Sequence, residues 1–139
     1  TASKLLLCLG TNNKDDGDSG VNAHADIVQI INSYKTRSAS IHILLVNIVD
    51  VAAAAVDYIA RNIFIAQLNV LLNASYGAGQ DSQVTLYDAN THFKDLLVPA
   101  NAYAVDGVHL SAAGVNVQAH FYKQILKEES ITQPAELGF

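Results

Sequence analysis

Residues 4–9 read KLLLCL, five consecutive apolar positions behind a single lysine. A strand with one wet face alternates apolar and polar residues, whereas a strand covered on both faces shows no polar side. The run therefore asks for a sheet with structure packed on each side of it. Two later stretches rich in β-branched residues, 41–49 (IHILLVNIV) and 83–88 (QVTLYD), read as further strands. Between the three, apolar residues recur with helical spacing. Ala23, Ile27, Ile30, Ile31 and Tyr34 share one face of a first helix, and Ile59, Ile63, Ala66 and Val70 repeat the pattern in a second over 55–74. A last helix follows Ser111, a good N-cap, and turns Val115, Ala119, Tyr122 and Leu126 to the core. The order β-α-β-α-β-α predicts an α/β domain with a parallel sheet. Residues 4–9 ought to be its central strand. Only two convincing strands follow, both C-terminal to it, and a sheet of three could leave it at an edge, so the pattern predicts a missing partner beside that strand.

One domain accommodates the 139 residues, half of them hydrophobic and 15% charged. We place it at 1–127, with 128–139, which contains Pro134, as a C-terminal extension. A net charge of −5, with eight Lys and Arg that nowhere cluster, leaves no footprint for nucleic acid or an anionic membrane. No apolar run approaches the roughly 20 residues of a membrane span, and the first residues lack the basic-then-apolar layout of a signal peptide. The chain holds no methionine and enters an apolar strand at once, from which we expect that a preceding segment was removed by processing or was lost from the sample. The single cysteine, Cys8, cannot form an internal disulfide and reads as a small buried hydrophobe. Residues 77–83 form a turn-rich connection, and AAAA at 52–55 is the one low-complexity tract.

Ligands of open parallel sheets sit at the carboxyl ends of the strands. Two polar groups of residues fall there. The first strand runs into GTNN, Gly10 to Asn13, and the third leads through a short helical stretch to Asp106 and His109 in DGVHLSAAG. A turn at Asp106 and Gly107 can fold the aspartate back to accept a hydrogen bond from one imidazole nitrogen, fixing the other as proton acceptor. That is the division of roles in a serine hydrolase. The amide of Asn12 can donate to the oxygen that becomes negative during attack on a carbonyl. By itself Asp-x-x-His is common in such a composition and reads as an ordinary turn before a half-buried histidine. The two groups together, in this order, carry more.

LLCLGTNN resembles the block of the SGNH (GDSL-type) hydrolases in which a strand ends in Gly-x-Asn-Asp. VDGVHLSAAGVNVQAHFYKQI resembles their final block, Asp-Gly-x-His-Pro followed by a small-residue turn and a helix. The intervening length is similar to that of the carbohydrate-esterase and fungal secreted-esterase branches, and the resemblance spans residues 4–126. It implies a flavodoxin-like three-layer α/β/α sandwich with a parallel sheet, incomplete here at its N-terminal strands. It also implies a secreted enzyme hydrolysing small esters, acetylated carbohydrate among them, with no metal and no cofactor. Asn12 is then the oxyanion donor at the turn begun by Gly10, and Asp106 and His109 are the acid and base partners of a serine. Asn13 stands where the family usually has Asp, and Leu110 where it usually has Pro.

The family's nucleophile ends an earlier strand, in Gly-Asp-Ser. GDSG does occur here at 17–20, but it follows NNKDD, which has no strand character, so Asp18 and Ser19 read as caps of the first helix. The nucleophilic serine is instead expected on an N-terminal segment or a second chain. Two alternatives stand beside this reading. One is a catalytically inactive relic of the fold that binds carbohydrate or serves as an assembly subunit, pairing with another copy through its first strand; the other is a self-contained esterase using Ser19. Asp15, Asp16 and Asp18 lack the spacing of a Ca²⁺ loop. Asp88 and His92 have no third ligand at suitable spacing, and Asp88 or Asn90 reads as a helix-start cap. His24, His42 and His120 have no evident partners, and Asp57 with Arg61 forms an i,i+4 pair of structural value only. Asn73-Ala74-Ser75 is an N-glycosylation acceptor if the protein is secreted.

Overall fold

The computed structural model of the chain describes residues 3–10, 13–14, 17–95, 103–104 and 106–129. Strand β1 (Lys4–Cys8) is followed by helix α1 (Gly20–Arg37), β2 (His42–Val46), α2 (Tyr58–Tyr76), β3 (Val84–Tyr87), a short α3 (Ala89–Asp95) and α4 (Ala112–Glu128). The three strands form one parallel sheet in the order β1-β2-β3, with Leu6 opposite Leu44 and Leu44 opposite Thr85. The mixed α/β architecture follows the alternation seen in the sequence.

Successive strand residues point to opposite faces. Leu7, Ile43, Leu45 and Val84 pack against α1 and α2, chiefly Ile27, Ile31, Ile65, Leu68 and Leu72. Leu44 and Val46 pack the other way, against Phe121 and Ile125 of α4. Helices thus lie on both sides of the sheet. Ser19 caps α1, its Oγ accepting from the N–H of Asn22 at 3.2 Å, while Ser111 caps α4 by accepting from Gly114. At the far end of α4, Glu129 accepts from the Tyr87 hydroxyl at 2.7 Å and pairs with Lys4 at 2.8 Å, tying that end to both outer strands. Lys4 and Tyr87 together hold the Glu129 carboxyl below the usual range. Residues 130–139, the rest of the expected extension, lie outside the described residues.

Five expectations are corrected. The central strand is β2, whose Ile43, Leu44, Leu45 and Val46 are all sealed, while β1 lies at an edge and pairs only with β2 among the described residues. Its apolar composition was read as coverage, but coverage of an edge strand requires a neighbour beyond it. Leu7 is inward, yet Leu6 is 37% exposed. Cys8 is exposed too, not buried, with Sγ 3.5 Å from the Tyr122 hydroxyl. The second strand stops at Val46 rather than running to residue 49: the Asn47 N–H still donates to the Tyr87 carbonyl at 3.1 Å, and beyond it the chain leaves the ladder.

The last two corrections concern helix faces. Ile59, Ile63 and Val70 of α2 are 61%, 65% and 68% exposed, and the buried face is Phe64, Ile65, Leu68, Leu72 and Tyr76. The helix is apolar on two opposite sides, so spacing alone does not choose between them. On α4 the buried residues are Gly114, Phe121 and Ile125, with Tyr122 and Leu126 half-buried and Val115 and Ala119 exposed. The reading of α1 holds for Ala23, Ile27 and Ile31, whereas Ile30 and Tyr34 lie at its margin.

The assignment of the α2 faces is tested by urea unfolding. Leu68→Ala is expected to cost about 2–5 kcal/mol, as a truncation in a sealed core does. Ile63→Ala should stay within about 0.5 kcal/mol of the parent; equal losses at the two positions would contradict the packing.

Candidate functional site

Residues 103–104 and 106–110 come together as the two arms of a small hairpin at the carboxyl end of the sheet. Tyr103 and Leu110 make an antiparallel bridge, and the Ala104 N–H donates to the His109 carbonyl at 2.8 Å. At its tip Asp106 folds back on the chain. Its Oδ1 accepts from the N–H groups of Val108 and His109 at 2.9 and 3.0 Å, and its Oδ2 lies 2.7 Å from His109 Nδ1. The sequence placed these two side chains together, and the structure joins them. The Asp106 carboxyl is lowered to about 2, by the His109 ring first and then by the two backbone N–H groups. With Nδ1–H donating to Asp106, Nε2 carries the free lone pair, and it meets no hydrogen-bonding partner among the described residues. The histidine side chain is 81% exposed and the aspartate 52%. The Nε2 edge of the ring is therefore open to whatever approaches it.

Gly107 makes this tip possible in two ways. Its φ of +69° is a conformation that L side chains rarely adopt. A Cβ there would also run into the backbone of Ala54 and Ala55, against which the glycine lies flat. The alanine tract thus has a function: its small side chains let the turn after β2 come against the hairpin, where the Ala52 N–H donates to the Gly107 carbonyl at 2.9 Å. The Tyr103 hydroxyl adds a second tie by donating to the carbonyl of Asp50.

The segment receiving these contacts, 47–51, is held by asparagines that sequence reasoning passed over. On α2, Asn69 Oδ1 accepts from the Ile48 N–H at 3.1 Å and its Nδ2 donates to the Ile48 carbonyl at 2.7 Å. Asn62 makes the same pair with Val51, at 2.8 and 3.0 Å. From α3, Asn90 accepts from the Asp50 N–H at 3.0 Å, and its own N–H donates to buried Asn47. Asp50 further pairs with Lys94 at 2.8 Å. The available signal was the spacing of Asn62 and Asn69, seven residues apart on one face of an apolar helix. Asparagine is a poor choice inside a helix unless its amide has work outside it.

The carboxyl end of β1 borders the same region. A cavity of about 110 Å³ is lined by Cys8, Val46, Val108, Leu110, Phe121 and Tyr122, among others. The residues that flank His109 thus share a wall with the edge strand. Burial, and then the hydrogen bond to Cys8, raise the Tyr122 phenol. Gly10 closes β1 with φ +106°, where a Cβ would lie 2.8 Å from Ile48 and 3.0 Å from Leu68. Asn12, the expected oxyanion donor, lies outside the described residues.

The other candidates resolve as structural groups. Ser19 is committed to its cap, while Asp18 binds the Asn13 amide at 3.0 Å instead of capping. Asp88 caps α3 through the N–H and hydroxyl of Thr91, at 2.9 and 2.7 Å. Burial pushes its carboxyl up, but these bonds and one from Asn47 outweigh it and leave it lowered. His92 packs its ring on Phe121 at 4.6 Å. His24 and His42 do have partners, the hydroxyls of Ser75 and Thr85 at 2.9 and 2.8 Å. Asn73 is exposed in the last turn of α2. Arg61 Nε donates to the carbonyl of Val56. No three His, Cys, Asp or Glu converge to hold a metal among the described residues, and no helix there is long and apolar enough to cross a membrane. No protein-family model matches the chain, and no curated protein matches it.

Two outcomes are expected at the tip. Because the folded value of Asp106 lies below its ordinary 3.8, the interactions of its carboxylate are complete above about pH 4 and are lost as pH falls through about 2. A carboxyl-carbon NMR titration should give that midpoint, and one near 4 would mean that the ring is not bound. Gly107→Ala should lose more than about 1 kcal/mol of stability in denaturant melts, since both its backbone angle and its space are wrong for a side chain.

Proposed function

We propose that this chain supplies the base and orienting acid of a serine ester hydrolase of the SGNH type, completed as a flavodoxin-like three-layer α/β/α sandwich. Its substrates are small esters, acetylated carbohydrates among them. The observation that carries the reading is the 2.7 Å bond between His109 Nδ1 and Asp106 with Nε2 left open. His92 packs its ring on Phe121, and His24 and His42 each commit Nε2 to a neighbouring hydroxyl, whereas His109 Nε2 meets no partner among the described residues.

The chemistry follows from that tautomer. His109 Nε2 takes the proton of a serine hydroxyl as its oxygen attacks the ester carbonyl, and the Asp106 carboxylate stabilises the imidazolium that results. The proton passes to the departing alkoxide as the acyl bond to serine is completed. Water then attacks the acyl group as His109 takes its proton, and His109 returns that proton to the serine oxygen as the acyl–serine bond breaks and the acid is released. Asn12, at the turn begun by Gly10, donates to the oxyanion in both steps. The nucleophilic serine comes from a segment or second chain that adds a strand to the open edge of β1. Support for this is that β1 pairs only with β2 among the described residues, together with the exposed Leu6 and Cys8 on it and the cavity shared by β1 and the hairpin. Secretion belongs to the reading, and exposed Asn73 is then an acceptor for an N-linked glycan.

The test is hydrolysis of p-nitrophenyl acetate and acetylated xylose by the native protein. His109→Ala and Asp106→Asn are each expected to lower kcat by on the order of 10⁴, while Ser19→Ala leaves it unchanged. Full turnover by the His109 variant defeats the reading, and a parent protein that turns over neither ester favours the inactive relic.

A further inference from the structure

The peptide group joining Val51 to Ala52 is held at both ends of its dipole. Its carbonyl accepts from Asn62 Nδ2 at 3.0 Å, and its N–H donates to the Gly107 carbonyl at 2.9 Å. The N–H of Val51, one peptide earlier, donates to Asn62 Oδ1 at 2.8 Å. A single carboxamide on α2 thus fixes the tilt of one peptide plane, and the opposite edge of that plane grips the tip of the hairpin. Hydrogen bonds in series polarise one another, so the grip on Gly107 gains from the bond behind it. Gly107 in turn is the residue next to Asp106, and it lies against the Ala54 and Ala55 backbone with no slack.

We propose that Asn62 is a positioning residue for the Asp106/His109 pair, acting through the Val51 to Ala52 peptide and Gly107. The proposal rests on the reading of that pair as an acid and base. It does not depend on hydrolysis for its test. Asn69 provides the internal control, because it makes the same two bonds to Ile48 two helical turns farther along α2, on a residue with no hydrogen bond to the hairpin among those described.

The experiment compares Asn62→Ala, Asn62→Asp and Asn69→Ala in the full chain by NMR of the resting protein. Two signals are read, the Asp106 carboxyl midpoint and the ¹⁵N pattern that reports the Nδ1–H tautomer of His109. Asn62→Ala is expected to move the midpoint from about 2 toward 3.8 and to remove the tautomer preference. Asn62→Asp keeps the acceptor for Val51 and loses the donor, so it should shift both signals in the same direction by less; it decides the matter if the alanine variant does not fold. Asn69→Ala should lose comparable stability with both signals unmoved. Unchanged signals in both Asn62 variants, or equal changes in Asn69→Ala, would overturn the proposal. Should the coupling appear in a protein that turns over no ester, the positioning role stands and the hydrolase reading falls.

Discussion

A backbone that leaves a sheet beside its central strand must find new partners for every N–H and C=O it takes out of the ladder. At the end of β2 these partners are side-chain amides. Asn62 and Asn69 each present a donor and an acceptor in the geometry of a peptide group and serve Val51 and Ile48 in place of a strand, while Asn90 accepts from the Asp50 N–H and donates to its side-chain carboxylate. Each bond adds about 0.5–1.5 kcal/mol net, but a buried group left unmatched costs about 1–3 kcal/mol. The arrangement is therefore stiff. A stiff segment 47–51 can act as a platform, and both contacts that seat the hairpin are made to it or to the alanine turn that follows.

The consequence is a division of labour between local and distant forces at the candidate site. The bonds between Asp106 and His109 span only three residues, but they form only while the turn that carries them is held in shape at Gly107. What lies beyond local reach is the orientation of that turn with respect to the sheet. It depends on Gly107, on small residues at 52–55 and on amides from two different helices. An exposed acid–base pair gains little from burial, so its geometry has to be imposed from beneath.

Much of this was legible in the sequence. Alternating strand and helix patterns gave the parallel sheet, Ser19 and Ser111 read correctly as caps, and the return of Asp106 onto His109 followed from Asp-Gly spacing. The platform was not legible, because IHILLVNIV is uniformly apolar apart from His42 and Asn47, and nothing in it marks where pairing ends. The orientation of α2 was misread for a related reason: Ile59, Ile63 and Val70 form as good a stripe as Phe64, Leu68 and Leu72. For β1, a composition fit for the middle of a sheet coincides with a position at its rim. Such an edge is a hazard unless something covers it, since its free N–H and C=O groups pair with any strand that approaches.

The account as a whole requires that the attacking oxygen comes to His109 from across the open edge of β1. Treating the native protein with a fluorophosphonate and locating the adduct by peptide mass spectrometry tests this most directly. The account predicts one phosphonylated serine on a peptide outside the 139 residues of this chain, with labelling that collapses in His109→Ala. An adduct on Ser19, or labelling indifferent to His109, would contradict it.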